Sequence, residues 1–235
     1  MLVTIHIWRV PAAAIPLALS RLARDLPAVR RLRFGKLLGT SSGDTFAARD
    51  IDLRRWALLA CWPTSSAAQA FERSPTVRGW DRIATERCRF DLSPLTSRGR
   101  WSGRQPFESF PSTTATGPVA AVTRARIAPG KLGSFWRAVP PVSGDLQHRP
   151  GLLWRVGIGE APVGLQGTFS VWASADALTD FAHRGGPHRR AIARTAAENW
   201  YVEELFARFT VRGIDGTVDG HNPLPDPRSG PTLAP

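Results

Sequence analysis

The sequence predicts an α+β protein in which tandem ferredoxin-like repeats pair to form a pseudo-dimeric α+β barrel. The 235 residues are enough for two domains of about 100 residues each. The second half repeats the order of apolar and amphipathic segments of the first half. Trp62 and Trp172 each close a strand-like run just before a helix start, "PTSS" or "ASAD". A single four-stranded unit leaves one face of its sheet exposed, so two units in one chain are expected to cover each other.

The first ferredoxin-like unit is assigned to residues 1–97 and is predicted to have the order βαββαβ. Its strand-like runs are alternating or continuously apolar, and they lie at 3–10, 31–39, 54–62 and 87–99. Residues 12–25 have helical periodicity, and residues 63–84 predict two short helices separated by a break. The segment 98–117 is rich in Gly, Ser, Thr and Pro, which is typical of a linker.

The second unit, residues 118–213, repeats the same order. Its predicted strands lie at 118–127, 151–160, 165–172 and 203–213, with helical segments at 131–139 and 173–200. Ser174 is placed as the N-cap of the last helical segment. From Ile214 the chain has few apolar residues, so residues 214–235 are expected to form a largely disordered tail.

Strand alternation predicts which side chains line the space between the two sheets. In the first strand Val3, Ile5 and Ile7 are expected to meet the helices, which leaves Thr4, His6 and Trp8 facing the other sheet. In the second unit the corresponding wall is smaller and more polar, and it includes Thr168, Ser170 and Trp172. An apolar cavity between the sheets is therefore expected, of a kind that suits a flat cofactor or a lipophilic substrate.

Composition narrows the possible functions. The net charge of +12 comes almost entirely from arginines, which are scattered except in "RRLRFGK" at 30–36 and accompany no nucleic-acid-binding motif. Cys61 and Cys88 lie in strand-like runs and are interpreted as buried, reduced thiols. The first residues lack a basic leader, and no apolar run could span a bilayer, so a soluble, cytoplasmic protein is expected.

The stretch "GGPHRRAIAR" at 185–194 contains the candidate metal ligand. Proline favours the first helical position, so Pro187 is expected to begin a helix with His188 in its first turn, beside the cavity. A heme iron needs one neutral imidazole among apolar walls. A capping role for His188 remains the alternative, and His6 is the rival ligand, either as a distal group or as a polar core residue. The sequence has no zinc spacing, P-loop or GxSxG motif.

Several stretches, taken in order, resemble the spheroidene monooxygenase family of carotenoid-modifying oxygenases. They are "FGKLLGT" (34–40), "RWALLACWP" (55–63), "RGRWSGRQPF" (98–107), "KLGSFWRAVPPVS" (131–143), "RVGIGEAP" (155–162), "TFSVW" (168–172), "GPHRRAI" (186–192) and "WYVEELFARFTVRG" (200–213). The resemblance implies a barrel that binds heme b through His188 as proximal ligand and uses O2 to oxidise a carotenoid-like or other lipophilic metabolite. It also implies an external electron donor such as a ferredoxin and its reductase.

Further candidate site residues follow from this resemblance and from the expected cavity. Trp172, Thr168 and Ser170 are expected to line the cofactor pocket. Arg100 and Arg104, on either side of Trp101 in "RGRWSGR", are candidates for contacts with carboxylates of the cofactor or substrate. Bound oxygen is expected to be steered by three polar side chains, His6, Lys36 and Arg155.

Three alternative functions stay open at this point. They are a heme-dependent dehydratase, a cofactor-free monooxygenase of the antibiotic-biosynthesis kind, and a non-enzymatic carrier of heme or a lipophile. Peripheral contact with a membrane is compatible with a lipophilic substrate, and no nucleic-acid partner is expected.

Overall fold

A computed structural model describes residues 1–42, 50–107, 115–160, 167–184, 193–195 and 197–224. Within these ranges the strands are β1 (Leu2–Arg9), β2 (Phe34–Ser41), β3 (Ile51–Trp62), β4 (Glu86–Gly99), β5 (Val119–Ile127), β6 (Leu152–Gly159), β7 (Gly167–Trp172) and β8 (Tyr201–Gly216). The helices are α1 (Ile15–Arg30), α2 (Ser65–Glu72), α3 (Pro75–Asp81), α4 (Leu132–Gln147) and α5 (Ala175–Arg184). None of the described helices is both long and apolar enough to cross a bilayer.

The eight strands form one closed antiparallel barrel in the spatial order β1-β3-β2-β6-β7-β5-β8-β4. Each half contributes four neighbouring strands, β4-β1-β3-β2 and β8-β5-β7-β6, which is the ferredoxin-like order repeated. The halves are joined by pairing of β2 with β6 and of β4 with β8. The predicted fold class, with two ferredoxin-like repeats closed into one α+β barrel, is confirmed.

Local sequence signals explain where the helices on the outside of the barrel begin. The side chains of Thr64 and Ser74 accept hydrogen bonds from backbone N–H groups in the first turns of α2 and α3. Ser174 does the same for α5, accepting from the N–H of Ala177 at 3.1 Å, as predicted. Pro75 follows the cap of α3, where its missing N–H is not needed.

The prediction of which strand faces point inward is wrong. Val3, Ile5 and Ile7 belong to the interior cluster of the barrel, whereas Trp8 packs under the helices of the first unit. Both faces of each sheet are buried, one by the other sheet and one by helices, so alternation separates two sets of side chains without saying which set points where.

Packed side chains take up the space between the two sheets, so the cavity expected there is absent among the described residues. The ring of Phe90 lies 5.8 Å from that of Trp154 and 5.0 Å from that of Phe169, bringing aromatic groups of both units into contact. Such rings fill a barrel interior well because each buries a large apolar surface. The interior of the barrel is therefore a core.

Two tight turns close the ends of this core. The first mouth turn follows β4 and spans Trp101 to Arg104, and the second follows β8 and spans Val218 to His221. Trp101 and Val218 are both buried in the interior cluster. The chain that follows β4 is thus packed against the barrel as far as residue 107. The predicted tail is packed in the same way as far as residue 224.

Each mouth turn is held by a glutamate of the other unit. Glu203 on β8 accepts hydrogen bonds from the N–H groups of Ser102 at 3.0 Å and Gly103 at 2.7 Å. On β4, Glu86 accepts the equivalent bonds from Asp219 at 3.1 Å and Gly220 at 2.7 Å. The two halves therefore close each other's ends in the same way, so the repeat extends beyond the strands and helices into these turns.

Candidate functional site

The side chains predicted to line a cofactor pocket lie on the helix-facing side of the second sheet. We call this surface the second-unit face; it comprises Arg155 and Gly157 of β6, Thr168, Ser170 and Trp172 of β7, Ala121, Thr123 and Ala125 of β5, and Phe206 and Arg208 of β8. Thr123, on a central strand, pairs with Thr168 on one side and with Phe206 on the other. Most residues near the middle of this face are small.

Strand pairing shows which positions of the two sheets correspond. Leu2 pairs with Trp62 in the first unit as Val119 pairs with Trp172 in the second. The tryptophans matched in the sequence are therefore structurally equivalent, and residues can be compared by counting along the strands from these two pairs.

The first unit has large side chains where the second-unit face has small ones. By this count His6 corresponds to Thr123, Trp8 to Ala125, Leu37 to Gly157, and Leu58 to Thr168. In the first unit the indole of Trp8 stacks on that of Trp80 at 5.6 Å, and Trp80 also lies 5.7 Å from Trp56. A layer of indoles thus fills the space between sheet and helices in the first unit, and the described strands of the second unit carry no equivalent of Trp8.

Exposure confirms that the second-unit face is more open. Thr123 is exposed although it lies on a central strand, and Thr168 and Phe206 are only half-buried. His6, at the position equivalent to Thr123, is 0% exposed. The predicted contrast, with a filled first unit and room in the second, therefore holds for the helix-facing sides of the sheets and not for the space between them.

Polar groups lie at the margins of this face. The guanidinium of Arg155 donates to the carbonyl oxygen of Ser42 at 3.0 Å, and that of Arg208 donates to the hydroxyl of Thr179 on α5 at 3.1 Å. Glu204 lies on the same side of β8 as Arg208 and adds a half-buried carboxylate to this face. The two guanidinium groups suit the anionic substituents of a flat apolar ligand.

Trp172 and Ser170 form one end of the second-unit face. The indole Nε1 of Trp172 donates to Ser170 Oγ at 2.9 Å, and the ring stacks on Phe181 of α5 at 5.4 Å. Both side chains are buried. Their contacts fix the end of β7 against the helix, while Thr168 is the half-buried hydroxyl nearer the middle of the face.

His188, the predicted axial ligand, lies outside the described residues, as do Arg189 and Arg190. Among the described residues no group of three or more His, Cys, Asp or Glu side chains could hold a metal ion. Cys61 and Cys88 are buried and unpaired, and burial raises the pKa of each thiol to about 12, so both remain protonated.

His6 belongs to the first unit and lies under α2, far in the fold from Trp172. Its Nε2 is 2.6 Å from Glu72 Oε1, and its ring stacks on Trp8 with the centroids 5.2 Å apart. Glu72 also pairs with Arg89 at 3.2 Å and with Arg87. Burial raises the pKa of Glu72, but the hydrogen bond and charge of His6 and the two guanidinium groups outweigh burial and bring it to about 2.

Lys36 lies at the end of the barrel closed by the first mouth turn. Its ammonium group donates to Glu160 at 2.7 Å and to the hydroxyl of Ser102 at 2.6 Å. The indole of Trp101 also donates to Glu160, at 2.5 Å. Burial raises the pKa of Glu160, but the hydrogen bonds from Lys36 and Trp101 and the charges of Lys36 and Arg124 lower it by more. The net effect is a lowered pKa, so the carboxylate is held ionised.

Arg100 and Arg104 accompany this turn. Arg100 is exposed, with its backbone N–H bonded to the carbonyl of Glu204 at 2.6 Å. Arg104 is also exposed and donates to the carbonyl of Arg33 at 3.3 Å. The predicted site residues therefore fall into three places: the first-unit core under α2, the first mouth turn, and the second-unit face.

Sequence reasoning missed the carboxylates that organise the first-unit core and the two mouth turns. Glu86 stands as many residues before Gly99 as Glu203 stands before Gly216. The internal repeat therefore carried a signal for both glutamates. Glu72 and Glu160 had no such signal because their partners come from distant parts of the chain.

A separate open cavity of about 400 Å³ lies on the first unit beside the start of α2. Its lining includes Thr64, Gln69, Arg89, Asp91 and Arg212. Arg89 is already neutralised by Asp91, at 2.7 Å, and by Glu72. This polar cavity does not adjoin the second-unit face.

Three curated relatives of this chain carry the same name, spheroidene monooxygenase. No family model matches the chain. It is 36% identical over 197 residues to the spheroidene monooxygenase of Rhodobacter capsulatus, covering 83% of this chain and 81% of that protein. It is 38% identical over 189 residues to that of Rubrivivax gelatinosus, covering 80% and 72%. The spheroidene monooxygenase of Cereibacter sphaeroides is 34% identical over 196 residues, and the match spans 83% of this chain but 60% of that longer protein.

Solved structures show the same fold at much lower identity. An aldoxime dehydratase superposes with a TM-score of 0.52 at 12% identity, over 89% of this chain and 80% of that one. A second aldoxime dehydratase structure, a complex with butyraldoxime, gives a TM-score of 0.55 at 10% identity over 89% and 79%. These likenesses agree with the barrel described above.

Proposed function

The chain belongs to the spheroidene monooxygenase family, and we propose that it is a heme-dependent monooxygenase that inserts oxygen from O2 into a carotenoid-like or other lipophilic substrate. The observation that carries the proposal is the second-unit face. It combines small side chains with polar groups at its margins, as cofactor sites do, whereas indole rings fill the equivalent face of the first unit.

The residues of this face fit heme b. Thr123 is exposed at the middle of this face, and the neighbouring Thr168 and Phe206 are half-buried. A flat macrocycle would lie over these three side chains, since the two alanines of this face are buried beside them. Arg155 and Arg208, at its edges, are placed to bind the carboxylates of such a cofactor. When bound, heme would supply the iron centre at which O2 is activated.

We propose His188 as the axial ligand on the basis of the internal repeat. "SPT" at 74–76 begins α3, and "GPH" at 186–188 stands at the corresponding place in the second unit. Thr76 is 6% exposed, and Trp80, one turn later on the same face of α3, stacks on Trp8 of the sheet. A histidine at the position equivalent to Thr76 would therefore face the sheet of the second unit. It would lie near Ala125, the residue that corresponds to Trp8 of the first unit.

The remaining site assignments stay predictions. The second-unit face is the proposed location for the contacts of Thr168, Ser170, Trp172 and Arg155 with the cofactor. The roles predicted for His6, Lys36, Arg100 and Arg104 concern residues in other parts of the fold, with partners already described. We also propose that two electrons per turnover come from an external donor such as a ferredoxin and its reductase.

The first experiment tests the ligand. Purified protein is titrated with hemin, and the Soret band is recorded for the unaltered chain, for His188→Ala, and for His148→Ala as a matched control. His148 is exposed, with its Nδ1 3.0 Å from the carbonyl oxygen of Gly144. We expect the native band in the control and its loss in His188→Ala. A native spectrum in His188→Ala would refute the assignment.

The second experiment tests the activity. The heme-loaded protein is supplied with O2, a ferredoxin, its reductase and a carotenoid, and incorporation of labelled oxygen is measured. Incorporation that requires heme supports the proposal. Heme binding without any turnover identifies a carrier, and turnover by metal-free protein identifies a cofactor-free oxygenase; either result would overturn it.

A further inference from the structure

The outer face of α1 is unusually apolar for a solvent-exposed helix. Leu17 is 50% exposed and Leu19 is 40% exposed. The centre of the exposed face is formed by small and apolar residues, Ala12, Ala13, Pro16, Ser20, Ala23, Pro27 and Ala28. Leu53, 38% exposed, lies near the start of the adjoining β3, where the carbonyl of Arg54 accepts from the N–H of Val10 just before the helix. This surface covers the first unit, and none of the described residues covers it in turn.

The exposed charged residues of α1 and of the turn that follows it are all arginines. Arg24, Arg30 and Arg31 are exposed. The one acidic residue of α1, Asp25, is 7% exposed and lies on the inner side, where it pairs with Arg21 at 3.4 Å. The Nε of Arg24 also lies 3.4 Å from Asp25, but the Arg24 side chain remains 65% exposed. A helix face that combines exposed leucines with arginines, and that presents no carboxylate, has the composition of an interfacial helix.

We propose that the outer face of α1 docks the protein on an anionic lipid bilayer. Leu17 lies on the side of α1 that carries Arg24 and Arg31, since residues seven apart share a helix face. Leu17 would enter the boundary between headgroups and acyl chains, and these arginines would contact lipid phosphates. Charge complementarity selects this occupant, since a net charge of +12 favours an anionic surface over a second copy of the same chain.

The position of α1 suits the substrate of the proposed function. α1 is joined directly to β2 and packs against it, and β2 pairs with β6 through Thr40 and Ile158. β6 forms the edge of the second-unit face with Gly157. A bilayer contact at α1 would thus bring lipid close to the second-unit face, where the proposed function places its cofactor. The substrate argument rests on the proposed function, whereas the lipid docking itself does not.

The test measures partition of the full-length protein into vesicles by flotation, without added heme. Vesicles of phosphatidylcholine are compared with vesicles that contain equal parts of phosphatidylcholine and phosphatidylglycerol. We expect binding to the anionic vesicles and a loss of about 30-fold in affinity for the double variant Arg24→Gln/Arg31→Gln, since each arginine near an anionic surface contributes about a factor of five. We also expect weaker binding for Leu17→Ser.

α4 and β5 offer matched controls. Leu132 is 37% exposed on α4, and Arg126 and Arg137 are exposed arginines outside α1. Leu132→Ser and Arg126→Gln/Arg137→Gln should bind vesicles as the unaltered protein does. Equal weakening by Arg126→Gln/Arg137→Gln would show that net charge alone causes binding, and equal weakening by Leu132→Ser would show that any exposed leucine supports it. Either result would overturn the proposal.

Two further results would also overturn it. One is the absence of binding to anionic vesicles, and the other is a concentration-dependent dimer in gel filtration that Leu17→Ser disrupts, because the face would then join two copies. Because vesicle binding is measured without heme and the Soret band without lipid, failure of either proposal can be recognised separately.

Discussion

The substitution Glu72→Gln tests whether the buried cluster around His6 stabilises the fold of the first unit. The carboxylate of Glu72 contacts His6 at 2.6 Å and Arg89 at 3.2 Å, and it also pairs with Arg87. Its side chain is 21% exposed, so solvent screens these contacts only in part. Glutamine keeps the shape of the side chain and removes its charge.

The magnitude follows from the pKa of Glu72, which falls from 4.5 to about 2 on folding. A change of one pKa unit corresponds to about 1.4 kcal/mol, so the charged form contributes about 3 kcal/mol to the free energy of unfolding. Because the pKa is depressed in the folded state, this contribution is fully present above the unfolded pKa. It is lost as the pH falls from about 5 towards 2.

The assay is urea-induced unfolding measured over a series of pH values. At neutral pH we expect Glu72→Gln to lower the free energy of unfolding by about 3 kcal/mol, and we expect the steep loss of stability below about pH 5 to be reduced in this variant. Asp145→Asn is the control, since Asp145 forms an ion pair with Arg149 at the end of α4 at 2.8 Å, is as exposed as Glu72 at 21%, and should leave the pH dependence in place. If Glu72→Gln has the stability and acid sensitivity of the unaltered protein, the reasoning about the cluster is refuted.

Three further predictions concern the barrel ends, the thiols and the second-unit face. Trp101→Ala should lower the free energy of unfolding by about 3–5 kcal/mol, because the indole is buried; a loss below about 1 kcal/mol in chemical denaturation would argue against a closed barrel end. Cys61 and Cys88 should resist alkylation at mildly alkaline pH until the protein unfolds, since burial raises both pKa values to about 12; rapid labelling of the native protein, followed by mass spectrometry, would contradict this. Thr123→Trp should abolish the Soret band in the hemin titration with little change in melting temperature, because Thr123 is exposed; a native band would place the cofactor elsewhere.

The order of strands and helices could be predicted from the sequence because it depends on local patterns. Apolar runs and caps such as Ser174 located the elements, and the Trp62 and Trp172 match revealed the repeat, which in turn fixed the barrel. The sequence also indicated that the second unit has smaller side chains than the first.

The direction of the strand faces could not be obtained in this way. In a barrel covered by helices, Ile5 and Trp8 are both buried, so hydrophobicity does not distinguish the interior from the helix layer. For the same reason Lys36 and His6 could be named as candidates but not located, since their partners Glu160 and Glu72 lie 124 and 66 residues away in the chain.

The sequence by itself determined the repeat, the strand and helix order, the family, and the contrast in side-chain size between the two units. The tertiary structure alone decided that this contrast lies under the helices and that glutamates of each unit close the barrel end of the other. The physical reason is that periodicity and size are properties of neighbouring residues, whereas the direction of a buried face and the pairing of distant charges are set by how the two sheets close on each other.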